Sequence, residues 1–132
     1  MLALDHIGIA VKDIDATLKR LALLGLTPSE RGIVSQFQVE VCLLALGHTK
    51  IELLQPTSSD SPIAKFLDRR GEGLHHIALS VPDIHQKLTE LKAQGVKLID
   101  EAPRVGFGGH LVAFIHPHST HGVLIELVQP GH

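Results

Sequence analysis

A chain of 132 residues with 44% hydrophobic content holds enough apolar surface for one core of ordinary size, so a single domain is expected. A net charge of -2 and four phenylalanines as the sole aromatic residues disfavour nucleic acid, anionic lipid and stacked bases or sugars, which leaves a small molecule as the expected partner. Cys42 is alone and excludes an internal disulfide; the start carries no basic n-region and no apolar run reaches the roughly 18 residues of a membrane span, so a cytoplasmic protein without membrane association is expected.

The first element is a strand in which Ile7, Ile9 and Val11 alternate with His6, Gly8 and Ala10. Asp13 then stands as a helix N-cap, Leu18 and Leu21 follow at helical spacing, and Gly25 supplies the stop. Three short apolar runs bounded by turn residues, over 27–34, 37–46 and 49–55, predict strands. In the segment that follows, Ser61-Pro62 is a cap with proline at the first helical position, and Ile63, Phe66 and Leu67 share one side of a short helix. The pattern then restarts. Ile77, Leu79 and Val81 alternate with His76, Ala78 and Ser80; Asp83, Leu88, Leu91 and Gly95 repeat the capped helix; and strands are predicted over 96–103, 110–116 and 122–129.

This restart is an internal repeat. LDHIGIAVKDIDATLKRLALLG aligns without gaps on LHHIALSVPDIHQKLTELKAQG, and later Ile51-Glu52-Leu53-Leu54-Gln55-Pro56 aligns on Ile125-Glu126-Leu127-Val128-Gln129-Pro130. The expected fold is α+β, two tandem βαβββ modules over 1–56 and 73–130 joined by a linker helix within 57–72, forming one domain whose mixed sheet curls around a metal-binding cavity.

Strand parity locates the chemistry. When Ile7, Ile9 and Val11 pack on the helix, His6 faces the other way beside the very small Gly8 and Ala10, and His76 does the same beside Ala78 and Ser80. Glu52 and Glu126, each between apolar neighbours, point to that same face, which is expected to be open and nearly empty. A carboxylate there is costly to bury unless paired or bound to a metal. Two histidines and two glutamates at duplicated positions therefore predict one divalent-metal site of His6, Glu52, His76 and Glu126, with room for substrate and a choice among Zn, Ni, Co, Mn and Fe. Of the eight remaining histidines, five fit turns and loops: His48 in a turn, His116, His118 and His121 in a Pro-containing loop, His132 at the terminus.

The two halves, each His-Ile-x-apolar-x-Val followed by Ile-Glu-Leu, resemble the vicinal oxygen chelate superfamily of glyoxalases, bleomycin resistance proteins and dioxygenases. Within it, LDHIGIAVKDID, LGHTKIELLQP, DSPIAKFL, GLHHIALSV and FIHPHSTHGVLIELVQP resemble the methylmalonyl-CoA epimerase branch. The resemblance implies the same four ligands, cobalt ahead of zinc, nickel and manganese, an acyl-CoA substrate and a homodimer. It also implies epimerisation through removal of the α proton, with Glu126 as the first base and either Glu52 or Glu40 as the second; parity with Val39, Val41 and Leu43 is expected to turn Glu40 toward the cavity. The other activities it allows are a lactoylglutathione lyase of the glyoxalase I type and a non-catalytic antibiotic-binding protein.

Overall fold

The computed structural model describes residues 2–131; Met1 and the terminal His132 lie outside it. Its elements are β1 (Ala3–Ala10), α1 (Ile14–Ala22), β2 (Pro28–Val34), β3 (Val39–Leu46), β4 (Thr49–Pro56), α2 (Pro62–Arg70), β5 (Gly73–Ser80), α3 (Ile84–Ala93), β6 (Arg104–Val105), β7 (Leu111–Ile115) and β8 (Ile125–Gln129). The strands form one mixed eight-stranded sheet in the order β2-β3-β4-β1-β5-β8-β7-β6. β1 runs parallel to β4 and β5 parallel to β8, while β2-β3, β3-β4, β7-β8 and β6-β7 are antiparallel. The expected βαβββ unit is thus present twice.

The chain divides into two compact units, residues 6–75 and residues 76–131 with 2–5. In the first, Val11, Cys42, Leu44 and Leu53 pack with Ile14 of α1, and Ile9, Leu18, Leu21 and Ile51 close around them. Leu53 is fully buried, so Leu53→Ala is expected to cost about 2–5 kcal/mol of unfolding free energy in a denaturant titration. In the second unit Val81, Ala113, Ile115 and Leu127 pack with Ile84 and Leu88 of α3. The aliphatic residues of the expected parity do face the helices.

The predicted caps are in place. Asp13 accepts from the Ala16 amide at 3.1 Å and Asp83 from the Gln86 amide at 3.0 Å; Gly25 and Gly95 have φ of 92° and 81°, the left-handed backbone that ends each helix. Ser61 caps α2 through the Ile63 amide at 3.1 Å. A second device escaped the sequence reading. The repeated glutamine of the Ile-Glu-Leu-x-Gln-Pro motif reaches back to its helix: Gln55 Oε1 accepts from the Ile14 amide at 2.7 Å, and Gln129 Oε1 from the Ile84 amide at 2.9 Å. Each satisfies an amide that the helix itself leaves without a partner and ties the helix start to the last strand of its unit. Gln129→Leu keeps the volume but removes the acceptor, and is expected to destabilise the protein by about 1–3 kcal/mol by thermal or denaturant unfolding.

One predicted strand is absent. Residues 96–103 form a loop with a single bridge, Leu98 to Ile115, and the edge strand is only Arg104–Val105. Asp100 explains it: its Oδ2 accepts from the Phe114 amide at 2.9 Å, while the amides of Ile99 and Asp100 both donate to the Phe114 carbonyl. A side chain and a bifurcated bond saturate β7 where a strand would have paired, and Pro103 has no amide to offer a ladder. The run predicted over 37–46 starts at Val39, because Ser35–Phe37 form a 3-10 turn closed by Gln38 in the left-handed region at φ 52°.

Candidate metal centre

Register fixes which side chains share a face. In the first unit Gly8 lies opposite Glu52 across β1-β4, and Leu43 lies opposite Glu52 across β3-β4. In the second, Ala78 lies opposite Glu126 across β5-β8, and Phe114 lies opposite Glu126 across β7-β8. Each carboxylate therefore has a glycine or alanine on one side, which leaves room, and a large apolar side chain on the other. On this face Ala10 and Ala78 have no exposure, and Val112 and Val128 pack with Ala78.

Each unit brings its histidine and its glutamate together. His6 Nε2 lies 3.3 Å from Glu52 Oε1, and His76 Nε2 lies 3.2 Å from Glu126 Oε1. His76, Glu126 and His6 are all buried, and Phe114 meets the His76 ring edge-on with centroids 5.6 Å apart. The ligand atoms of His6, His76 and Glu126 all lie within 4.8 Å of one another. Glu52, the fourth expected ligand, is not among these three and contacts His6. Two donors in adjacent positions around an ion with bonds of about 2.1 Å stand roughly 3.0–3.4 Å apart, the spacing of both His–Glu pairs. Buried imidazole and carboxylate in apolar surroundings, with this spacing, fit a divalent cation; the donor set does not choose which one.

Glu40 is elsewhere. It lies opposite Gln55 across β3-β4 and alternates with Val41 and Leu43, so it shares the helix-facing side with Cys42 and Leu44. The expectation that it turns toward the histidines is reversed: Val39, Val41 and Leu43 are the residues on Glu52's side. Glu40 Oε2 instead accepts from Arg31 Nε at 2.7 Å, and Arg31 Nη1 donates to Asp15 Oδ1 at 2.6 Å at the start of α1. The guanidinium holds the Asp15 carboxyl below the usual carboxylate range, chiefly through that hydrogen bond. Burial pushes the Cys42 thiol up, which suits an inert core cysteine. Among the histidines outside the trio, His116 Nδ1 accepts from the His118 amide at 3.0 Å in its loop.

Comparison with known proteins gives a consistent picture. A family model described as the Glyoxalase/Bleomycin resistance protein/Dioxygenase superfamily matches residues 5–114. The chain is 44% identical over 128 residues to the uncharacterized protein YqjC of Bacillus subtilis, covering 96% of this chain and 91% of that protein. It is 38% identical over 128 residues to the mitochondrial methylmalonyl-CoA epimerase of Homo sapiens, covering 96% of this chain and 73% of the human protein. A solved methylmalonyl-CoA epimerase in complex with methylmalonyl-CoA and NH4+ superposes with a TM-score of 0.93 at 35% identity, over 97% of this chain and 94% of that one. Among the described residues no helix is long and apolar enough to cross a membrane.

Proposed function

Since the chain belongs to the glyoxalase, bleomycin resistance and dioxygenase superfamily, with relatives among the methylmalonyl-CoA epimerases, we propose that it is a metal-dependent epimerase of methylmalonyl-CoA. The observation that carries this reading is the buried trio of His6, His76 and Glu126 within 4.8 Å, in a chain similar over nearly its whole length to epimerases. His6, His76 and Glu126, with Glu52 as the fourth donor, would hold one divalent ion, cobalt by family resemblance. When bound, the ion supplies Lewis-acid stabilisation of the negative charge that develops on the thioester oxygen.

The residues of the chain do the rest. Epimerisation removes the proton from the carbon between carboxylate and thioester and returns one to the opposite face, which requires two proton-transfer groups. Glu126 is the first. Glu40 is committed to Arg31 on the helix-facing side, so the second is assigned to Glu52, the counterpart of Glu126 in the repeat. The buried apolar face formed by Ala78, Val112 and Val128 excludes water from the carbanion. The two modules act as one domain, in a homodimer in the cytoplasm.

Metal-loaded protein assayed with single epimers of methylmalonyl-CoA, and separately with the hemithioacetal of methylglyoxal and glutathione, tests the reading. The expected result is interconversion of the epimers and no lyase activity; turnover of the hemithioacetal with inert methylmalonyl-CoA would replace it with the lyase. In the same assay Glu52→Gln is expected to lower the rate about a hundredfold or more, and Glu40→Gln to change it less than about threefold.

A further inference from the structure

His110 stands on the same side of the sheet as the His76–Glu126 pair and is used by nothing described so far. β7 alternates, with Phe114 opposite Glu126 and Val112 opposite Val128, and His110 continues that series in extended backbone just before the strand begins. Its Nδ1 is buried and has no hydrogen-bond partner among the described residues. A buried imidazole nitrogen without a partner is costly to keep, so a group that completes its hydrogen bond on binding is favoured.

The surroundings are built for close approach. Gly106 donates its amide to the His110 carbonyl at 2.8 Å and accepts from the Gly109 amide at 3.1 Å, closing a tight loop. A Cβ on Gly106 would come within 3.1 Å of Val112, and one on Gly108 within 3.3 Å of His110 Nε2; Gly108 and Gly109 also have φ of 75° and 81°. A side chain at Gly108 would crowd the imidazole and one at Gly106 would crowd Val112, and glycine leaves the loop free to shift as a ligand enters.

Position selects the ligand. Four residues along β7 from Phe114 place His110 roughly 13 Å from the point opposite Glu126, beyond the reacting carbons of a small acyl group. A thioester arm reaches that far. Its amides suit the imidazole in either tautomer, because an amide both donates and accepts, and Val112 and Val128 suit its aliphatic links better than they suit a carboxylate. We propose that His110 is a specificity residue that hydrogen-bonds an amide of the substrate's pantetheine arm. This rests on the epimerase reading and adds the part of the substrate that the ligand set does not read.

The test compares wild type, His110→Ala and His110→Asn on methylmalonyl-CoA and on the ethanethiol ester of methylmalonate, which has no amide, with propionyl-CoA binding measured by calorimetry. For His110→Ala the expected result is a KM for methylmalonyl-CoA about tenfold higher, with kcat within about twofold and an unchanged KM for the ethyl thioester. His110→Asn, whose amide can stand near the Nδ1 position, is expected to recover part of the loss. Propionyl-CoA binding is expected to weaken in parallel in His110→Ala. Equal KM changes on both substrates, or wild-type KM and propionyl-CoA affinity in His110→Ala, would overturn the role of His110 while leaving the epimerase intact. A wild-type protein that neither binds propionyl-CoA nor turns over methylmalonyl-CoA would overturn both.

Discussion

Glu126→Gln is expected to lower the rate of epimerisation about a thousandfold at saturating metal, the scale of losing a positioned general base. The carboxylate is buried, 3.2 Å from His76, and paired across the sheet with Ala78 and Phe114, neither of which can take over the proton. Glutamine has nearly the same volume and keeps the packing. It also removes a charge that is costly to bury, so the metal-free variant is expected to melt no lower than wild type, whereas its metal affinity falls. The rate measured by epimer-resolved chromatography, together with a melting curve, separates these effects. A loss smaller than about tenfold at saturating metal would move the base away from Glu126.

The second large effect is on stability. A ligand that binds only the folded chain adds about 2.7 kcal/mol at one hundred times its Kd, which for a domain of this size raises Tm by roughly 10 °C. Cobalt added to metal-free protein is therefore expected to produce a rise of about that size in differential scanning calorimetry. His76→Ala is expected to abolish it, because the ring is buried against Phe114 and supplies one of the three clustered donors. The same variant loses packing and has a lower Tm without metal, so the diagnostic quantity is the metal-induced increment. A full increment in His76→Ala would remove this residue from the ligand set.

Much of this was legible in the sequence because duplication shows the same constraint twice. Asp13 and Asp83, Gly25 and Gly95, and the apolar alternation of β1 and β5 each appear in matched copies, and local physics suffices to read a cap, a stop and a strand face. The gathering of His6, His76 and Glu126 was readable for the same reason, through parity. What stayed hidden depends on tertiary partners. Gln55 and Gln129 look like strand ends until their helix amides are seen to meet them, and Asp100 replaces a strand pairing that composition alone suggested. Glu40 failed for a sharper reason. Gln38 adopts a left-handed turn and β3 begins at Val39, so the register against Glu52 is set by the β3-β4 hairpin, which puts Leu43 and not Glu40 on its side. A one-residue difference in register exchanges the faces, and no local pattern around Val39-Glu40-Val41 announces it.

The most direct measurement is proton NMR of methylmalonyl-CoA in heavy water with the metal-free and the cobalt-loaded protein. Disappearance of the α-proton signal with cobalt, accompanied by appearance of the second epimer and absent without metal, is the predicted result. Persistence of that signal with the metal confirmed bound would contradict the epimerase while leaving the metal centre standing.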